Sequence, residues 1–163
     1  MSRYEEGIKL IEESCGNGKD NVIALSTVVM EPNADGMPSS CVRDVDAYYE
    51  DGVFYITTWA NSNKMLQVAQ NKETAFAVCF EVIYGHGIGE NLGWVLDPKN
   101  AELRVKLRRA FAVWYDQAND EKDECCVILA IRITRARIMR DHGAVRYNLE
   151  FVNKTEAEDG IIG

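Results

Sequence analysis

The apolar and polar positions predict helices at both ends of the first half of the chain, with strands between them. Tyr4, Ile8, Ile11 and Cys15 recur at helical spacing and predict an amphipathic helix over residues 2–15, closed by Gly16-Asn17-Gly18. Residues 22–30 are rich in β-branched side chains and read as a strand; Pro32, Gly36 and Pro38 then mark a turn region over 31–38. Residues 40–49 and 53–58 are two further strands, joined as a hairpin across Glu50-Asp51-Gly52. Residues 62–71 read as a helix with Met65, Leu66 and Ala69 on its apolar side. A dense run of Ala, Val, Phe and Cys predicts one buried strand over 74–84, and residues 85–96 read as a Gly-rich connection. Asp97-Pro98 is a helix start, an N-cap followed by proline at the first helical position. That helix is expected to reach residue 117 and to bury Leu103, Leu107, Ala110, Phe111 and Trp114. After a polar turn over 119–124, strands are expected over 125–139 and 145–152. The acidic tail from Asn153 is expected to be disordered.

The strands come first as hairpins, without the regular βαβ alternation of a doubly wound sheet. The expected class is therefore mainly β and antiparallel, a barrel of about six strands with three appended helices. One domain over 1–163 is expected, with 153–163 as its tail.

The hairpin and the second helix place candidate chemistry together. Thr57 and Thr58 end a strand, and Ser62-Asn63-Lys64 opens the following helix. The first N–H groups of a helix lack intrahelical partners and carry partial positive charge, so they attract anions. Lys64 sits where that charge disfavours a cation, a mismatch that a bound phosphate would resolve. The Ser62 oxygen could cap the helix or bond a phosphate. Arg43, on the neighbouring strand, could face solvent beside Asp44 and Asp46 or supply a guanidinium to the same anion.

These residues carry a resemblance to a known family. Pro38, Arg43-Asp44-Val45, Asp51-Gly52, Tyr55-Ile56-Thr57-Thr58, Ser62-Asn63-Lys64 and Asn71, in this order, resemble the pyridoxamine 5'-phosphate oxidase-like proteins. The segment His86-Gly87-Ile88-Gly89-Glu90-Asn91-Leu92-Gly93-Trp94 looks like a bacterial subgroup of them. The resemblance implies an FMN-binding split β-barrel acting as a homodimer, with the flavin at the subunit interface. It implies cofactor contacts from Arg43, Asp44, Val45, Thr57, Thr58, Ser62, Asn63 and Lys64. Counting from Pro38 would put Cys41 at the family arginine; the Arg-x-Val triplet and the spacing to Asp51-Gly52 favour Arg43. It further implies a flavin-dependent oxidoreductase of unknown substrate. The alternatives are a non-catalytic, stress-related flavin protein or a split barrel that holds a deazaflavin. Haem is the least favoured, because only His86 and His142 could serve as imidazole ligands. The substrate-binding arginines of the true oxidase's C-terminal segment have no equivalent around Arg146 to Phe151. No acid, base or nucleophile is assigned.

Composition narrows the partners. The net charge of −8 argues against nucleic acid. The cluster Arg104, Lys106, Arg108 and Arg109 reads as a solvated helix face. Glu5, Glu6, Glu12 and Glu13 are incompatible with a secretory leader, and no apolar run reaches the length of a membrane span. Five cysteines without a CxxC pair suit reduced thiols and a cytoplasmic location, with adjacent Cys125 and Cys126 facing opposite sides of a strand. Gly85 to Gly89 fails the dinucleotide-loop spacing, since Glu90 stands where the third glycine belongs. His86 or Trp94 could instead lie near the flavin or belong to a plain connection. No zinc spacing and no GxSxG elbow is present.

Overall fold

The computed structural model describes residues 1–158. Its elements are α1 (Arg3–Cys15), β1 (Asn21–Val29), β2 (Ser39–Glu50), β3 (Val53–Trp59), α2 (Asn63–Gln70), β4 (Glu73–Val78) and β5 (Ile83–Trp94). They continue with α3 (Ala101–Ala110), the short α4 (Tyr115–Ala118), β6 (Cys126–Arg140), β7 (Val145–Glu150) and β8 (Thr155–Glu156). The strands lie in the order β3-β2-β1-β4-β5-β6-β7-β8, and a β3–β6 pairing closes the first six into a barrel. Every pairing is antiparallel. The fifteen-residue β6 serves two partners: Cys126 to Arg132 pair with β3, and Arg135 to Arg140 with β7.

Two apolar clusters follow from the alternation of side chains across the barrel wall. Inside lie Leu25, Phe54, Ile56, Phe76, Leu129 and Ile131 among others, and α1 adds Ile11 and Cys15 to the same cluster, with its Gly7 against Leu149. Outside, Tyr48, Tyr55 and Ile128 on the wall meet Leu107, Phe111 and Tyr115 from α3 and α4. The α1 terminus is fixed by a reciprocal box. The Ser2 Oγ accepts from the Glu5 amide at 3.2 Å, and the Glu5 carboxylate accepts from the Ser2 amide at 2.7 Å.

The hairpin, the start of α2 and the Asp97-Pro98 cap lie where the sequence puts them; Asp97 accepts from the Lys99 amide at 3.0 Å. Other expectations are corrected. The single strand over 74–84 is two, β4 and β5, separated by a turn in which Phe80 and Val82 adopt φ of 70° and 49°. The Gly-rich connection is most of β5. Its alternate residues Gly85, Gly87 and Gly89 point inward and are buried. A Cβ on Gly85 would lie 2.0 Å from the Arg135 carbonyl oxygen, so glycine lets β5 press against β6 beside the register shift at His86 and Gly87.

The helix expected over 97–117 breaks after Ala110. The break stacks Phe111 on Trp114 at 4.8 Å and lets the Trp114 indole donate to Asp20 at 2.8 Å. On α2 the buried face is Met65 and Val68, while Leu66 is exposed. The tail after Asn153 is not wholly irregular, since Thr155–Glu156 pairs with Leu149 and Glu150. Residues 159–163 lie outside the described part. Among the described residues no helix is long and apolar enough to cross a membrane.

Candidate functional site

The β3–α2 corner brings the side chains of four of the eight expected site residues, Arg43, Thr58, Ser62 and Lys64, to one end of the barrel. Thr58 is the last buried residue of β3, and its hydroxyl lies 3.5 Å from the Ser62 hydroxyl. Ser62 is the N-cap of α2 by backbone geometry, but its side chain makes no capping hydrogen bond. The first intrahelical bond joins the Leu66 amide to the Ser62 carbonyl. The amides of Asn63, Lys64 and Met65 therefore have no intrahelical acceptor, which is the arrangement that favours an anion.

Two cations face this corner. Arg43 projects from β2 on the same face as the inward residues of its partner strand β1. Its Nη1 donates to Thr27 Oγ1 at 2.6 Å and to the Leu25 carbonyl at 3.3 Å, and its Nη2 donates to Gln67 Oε1 at 2.9 Å. Thr27 Oγ1 donates to the same amide oxygen at 2.5 Å. These bonds fix the guanidinium and leave N–H groups over for a ligand. Lys64 is half-buried and makes no hydrogen bond or ion pair among the described residues. Burial first, and then the nearby charge of Arg43, hold its pKa below the ordinary lysine value of 10.5. A half-buried Lys64 without an ion pair, within range of the Arg43 charge, leaves net positive charge at this corner, of the kind a phosphate neutralises.

The remaining expected residues lie around this centre. Val45 follows Arg43 on the inward face and packs against the barrel core. Asn63 is exposed at the first position of α2. Asp44 points to the opposite, outer face. Thr57 also points away from Thr58, toward the outer cluster. Its hydroxyl is buried without a hydrogen-bond partner among the described residues. Thr27 and Gln67 were not foreseen. Gln67 lies three residues after Lys64 on one helix face, a spacing visible in the sequence; Thr27 reaches the site only through the β1–β2 register.

The neighbouring outer face is apolar. Ala24, Val42, Ala75, Ala77 and Tyr84 line an open hollow of about 390 Å3 on β1, β2, β4 and β5, and His86 stands exposed at its edge. Trp94 packs against the outer cluster, and its indole donates to the Glu121 carbonyl at 2.8 Å. Among the described residues no group of three or more His, Cys, Asp or Glu side chains could hold a metal ion.

No protein-family model and no curated protein matches the sequence. Solved structures do match the fold. A protein related to general stress protein 26, of the pyridoxinephosphate oxidase family, from Clostridium acetobutylicum superposes with a TM-score of 0.59 at 15% identity, covering 95% of this chain and 100% of that one. General stress protein 26 from Bacillus anthracis gives 0.53 at 18% identity over 83% and 92% of the two chains. A haem-binding protein from Mycobacterium smegmatis gives 0.63 at 13% identity, covering 94% of this chain and 60% of that one. An F420 reductase and an FAD-binding protein from Mesorhizobium loti, at 18% and 17% identity, also share the architecture. The order of the strands, the closure through β3 and β6 and these superpositions agree, and the chain has the split β-barrel fold of the pyridoxamine 5'-phosphate oxidase-like proteins.

Proposed function

We propose that the protein binds FMN as a homodimer and acts as a flavin-dependent oxidoreductase. The observation that carries this reading is the pair Lys64 and Arg43: Lys64 opens α2 beside the Ser62 and Thr58 hydroxyls, and Arg43, bonded to Gln67 of the same helix, adds its charge there. The residues present fit a phosphomonoester. Arg43 and Lys64 would neutralise its charge, and the Ser62 and Thr58 hydroxyls and the first α2 amides would donate to its oxygens. Gln67 and Thr27 would hold the guanidinium in register. Bound flavin supplies hydride or electron transfer, and the chain supplies anchoring and orientation. The apolar hollow on the outer face supports the dimer, since a second copy would cover it and bring further side chains to the cofactor. An FAD-binding protein and an F420 reductase among the neighbours support a flavin-type ligand. A haem, named for the mycobacterial neighbour, would need an axial ligand. His86 and His142 stand on the outer face of β5 and in the β6–β7 turn, away from the cationic corner.

The test is spectral. Protein incubated with FMN and desalted should retain bands near ~375 and ~450 nm. The double substitution Arg43→Ala and Lys64→Ala should weaken FMN binding by roughly 100-fold or more, because each lost charge-assisted bond costs about 1.5 kcal/mol or more. Unchanged affinity in that variant would refute the phosphate assignment. Bleaching by reduced nicotinamide, with turnover, separates an oxidoreductase from a protein that only holds flavin.

A further inference from the structure

A second pocket lies at the other end of β3. Gly52, which precedes β3, borders this pocket, while Thr58 lies six residues further along at the cationic corner, a separation of roughly 20 Å. The pocket encloses about 360 Å3 between α1, the β2–β3 turn and the segment after β7, a size typical of small-molecule sites. Its aromatic wall is Tyr4 against Phe151, edge to face at 6.1 Å. Gly52, at φ +78°, backs this wall; a Cβ there would come within 3.2 Å of the Phe151 ring. Its acidic wall is Glu12 from α1 and Asp51 from the turn. Neither carboxylate forms an ion pair among the described residues.

The floor carries an independent signal. Tyr49 is only 2% exposed, and its hydroxyl makes no hydrogen bond of good geometry among the described residues. Burial first, and then the Glu12 charge, push this phenol up, and the Gly52 backbone acts against that shift. Its hydroxyl therefore faces Glu12 and Gly52, both of which border the pocket. Burial first, and then the charges of Asp51 and Glu50, raise the Glu12 pKa, while Tyr49 acts in the opposite sense. A carboxylate held against burial and like charge is stabilised by a cation. Lys154 at the rim is exposed and pairs with neither carboxylate.

We infer that this pocket binds a small organic ammonium ion, its charge between Glu12 and Asp51 and its carbon chain against Tyr4, Ile8 and Phe151. Aromatic faces attract ammonium groups through the ring quadrupole, and the carboxylates exclude anions. A divalent metal would want six or more oxygen ligands, whereas much of this lining is aromatic and aliphatic. The net charge of −8 draws cations toward the molecule as a whole. The inference is independent of the flavin reading.

The experiment is a titration of the full chain with n-butylammonium, followed through the backbone amide resonances of Asp51 and Gly52, with n-butanol as the neutral isostere. Saturable shifts by the ammonium, and none by the alcohol, are expected. Glu12→Gln should weaken binding by roughly tenfold, Phe151→Leu should weaken it as well, and Lys154→Gln should tighten it about two- to threefold. Asp51→Asn, on a turn that tolerates asparagine at positive φ, gives the same comparison if Glu12→Gln does not fold. Shifts that do not saturate, equal binding of the alcohol, or full affinity in both carboxamide variants would overturn the inference.

Discussion

Lys64 occupies the first turn of α2, where the partial positive charge of the helix end, burial and Arg43 all oppose a second cation. In the ligand-free protein its substitution by methionine should therefore raise stability, by on the order of 1 kcal/mol, while FMN binding falls. Lys64 also predicts a pH dependence. Its folded pKa lies below 10.5, so between that lowered value and 10.5 the unfolded chain binds more protons than the folded one. Stability of the ligand-free protein should rise with pH across that window, and the penalty should be complete below it. Melting temperatures of the parent and Lys64→Met, compared from neutral pH to 10.5, isolate the effect; parallel curves would contradict it. Arg43 differs in kind, because Thr27, Leu25 and Gln67 already accept its hydrogen bonds.

At the scale of elements, β5 and the α3–α4 cap carry separate constraints. Gly85→Ala places a methyl carbon against the Arg135 carbonyl and the Ala136 Cα, both backbone, so β5 or β6 must move. A loss of roughly 2–4 kcal/mol is expected in denaturant unfolding, and a loss below ~1 kcal/mol would mean that the two strands separate easily. The cap depends on Glu121. Arg104 donates to both its oxygens at 2.8 and 2.6 Å, and Tyr115 and Arg108 join them at 2.9 and 3.2 Å. The Arg104 hydrogen bonds, and then those of Tyr115 and Arg108, outweigh burial and bring the Glu121 pKa from 4.5 down to about 2. A depressed carboxylate contributes stability above its unfolded value and loses it as protons bind the folded form. The contribution, on the order of 2–3 kcal/mol, should vanish between pH 4.5 and about 2 and be missing in Glu121→Gln. Acid unfolding of the two proteins side by side measures it.

At the scale of the molecule, the closed barrel leaves one feature for an assembly to answer. Ala77 and Val42 are exposed in the hollow of the outer face, beside half-buried Ala24, Ala75 and Tyr84. Small side chains there permit close approach of another sheet. Ala77→Glu should convert the proposed dimer to a monomer in sedimentation and lower FMN affinity in parallel, with the melting of the monomer little changed. A dimer that survives Ala77→Glu would place the interface elsewhere.

The sequence by itself determined what depends on neighbours in the chain. The α1 box, the Asp51-Gly52 hairpin, the start of α2 and the Asp97-Pro98 cap are each fixed by residues within four positions of one another. Lys64 stood out as a candidate because a cation is disfavoured in the first turn of a helix, and Arg43 because of the Arg-x-Val triplet it opens. Tertiary structure decided the rest. The glycines of β5 read as a connection until β6 lay close enough to forbid a Cβ. The turn between β4 and β5 rests on Phe80 and Val82 at positive φ, which no local preference announces. The helix ends at Ala110, where Trp114 stacks on Phe111 and its indole reaches Asp20, a residue ninety-four positions away in the chain. Thr27 joined the site, and Thr57 turned from it, through strand register and alternation. These are set by which strands pair, and that choice belongs to the closed barrel.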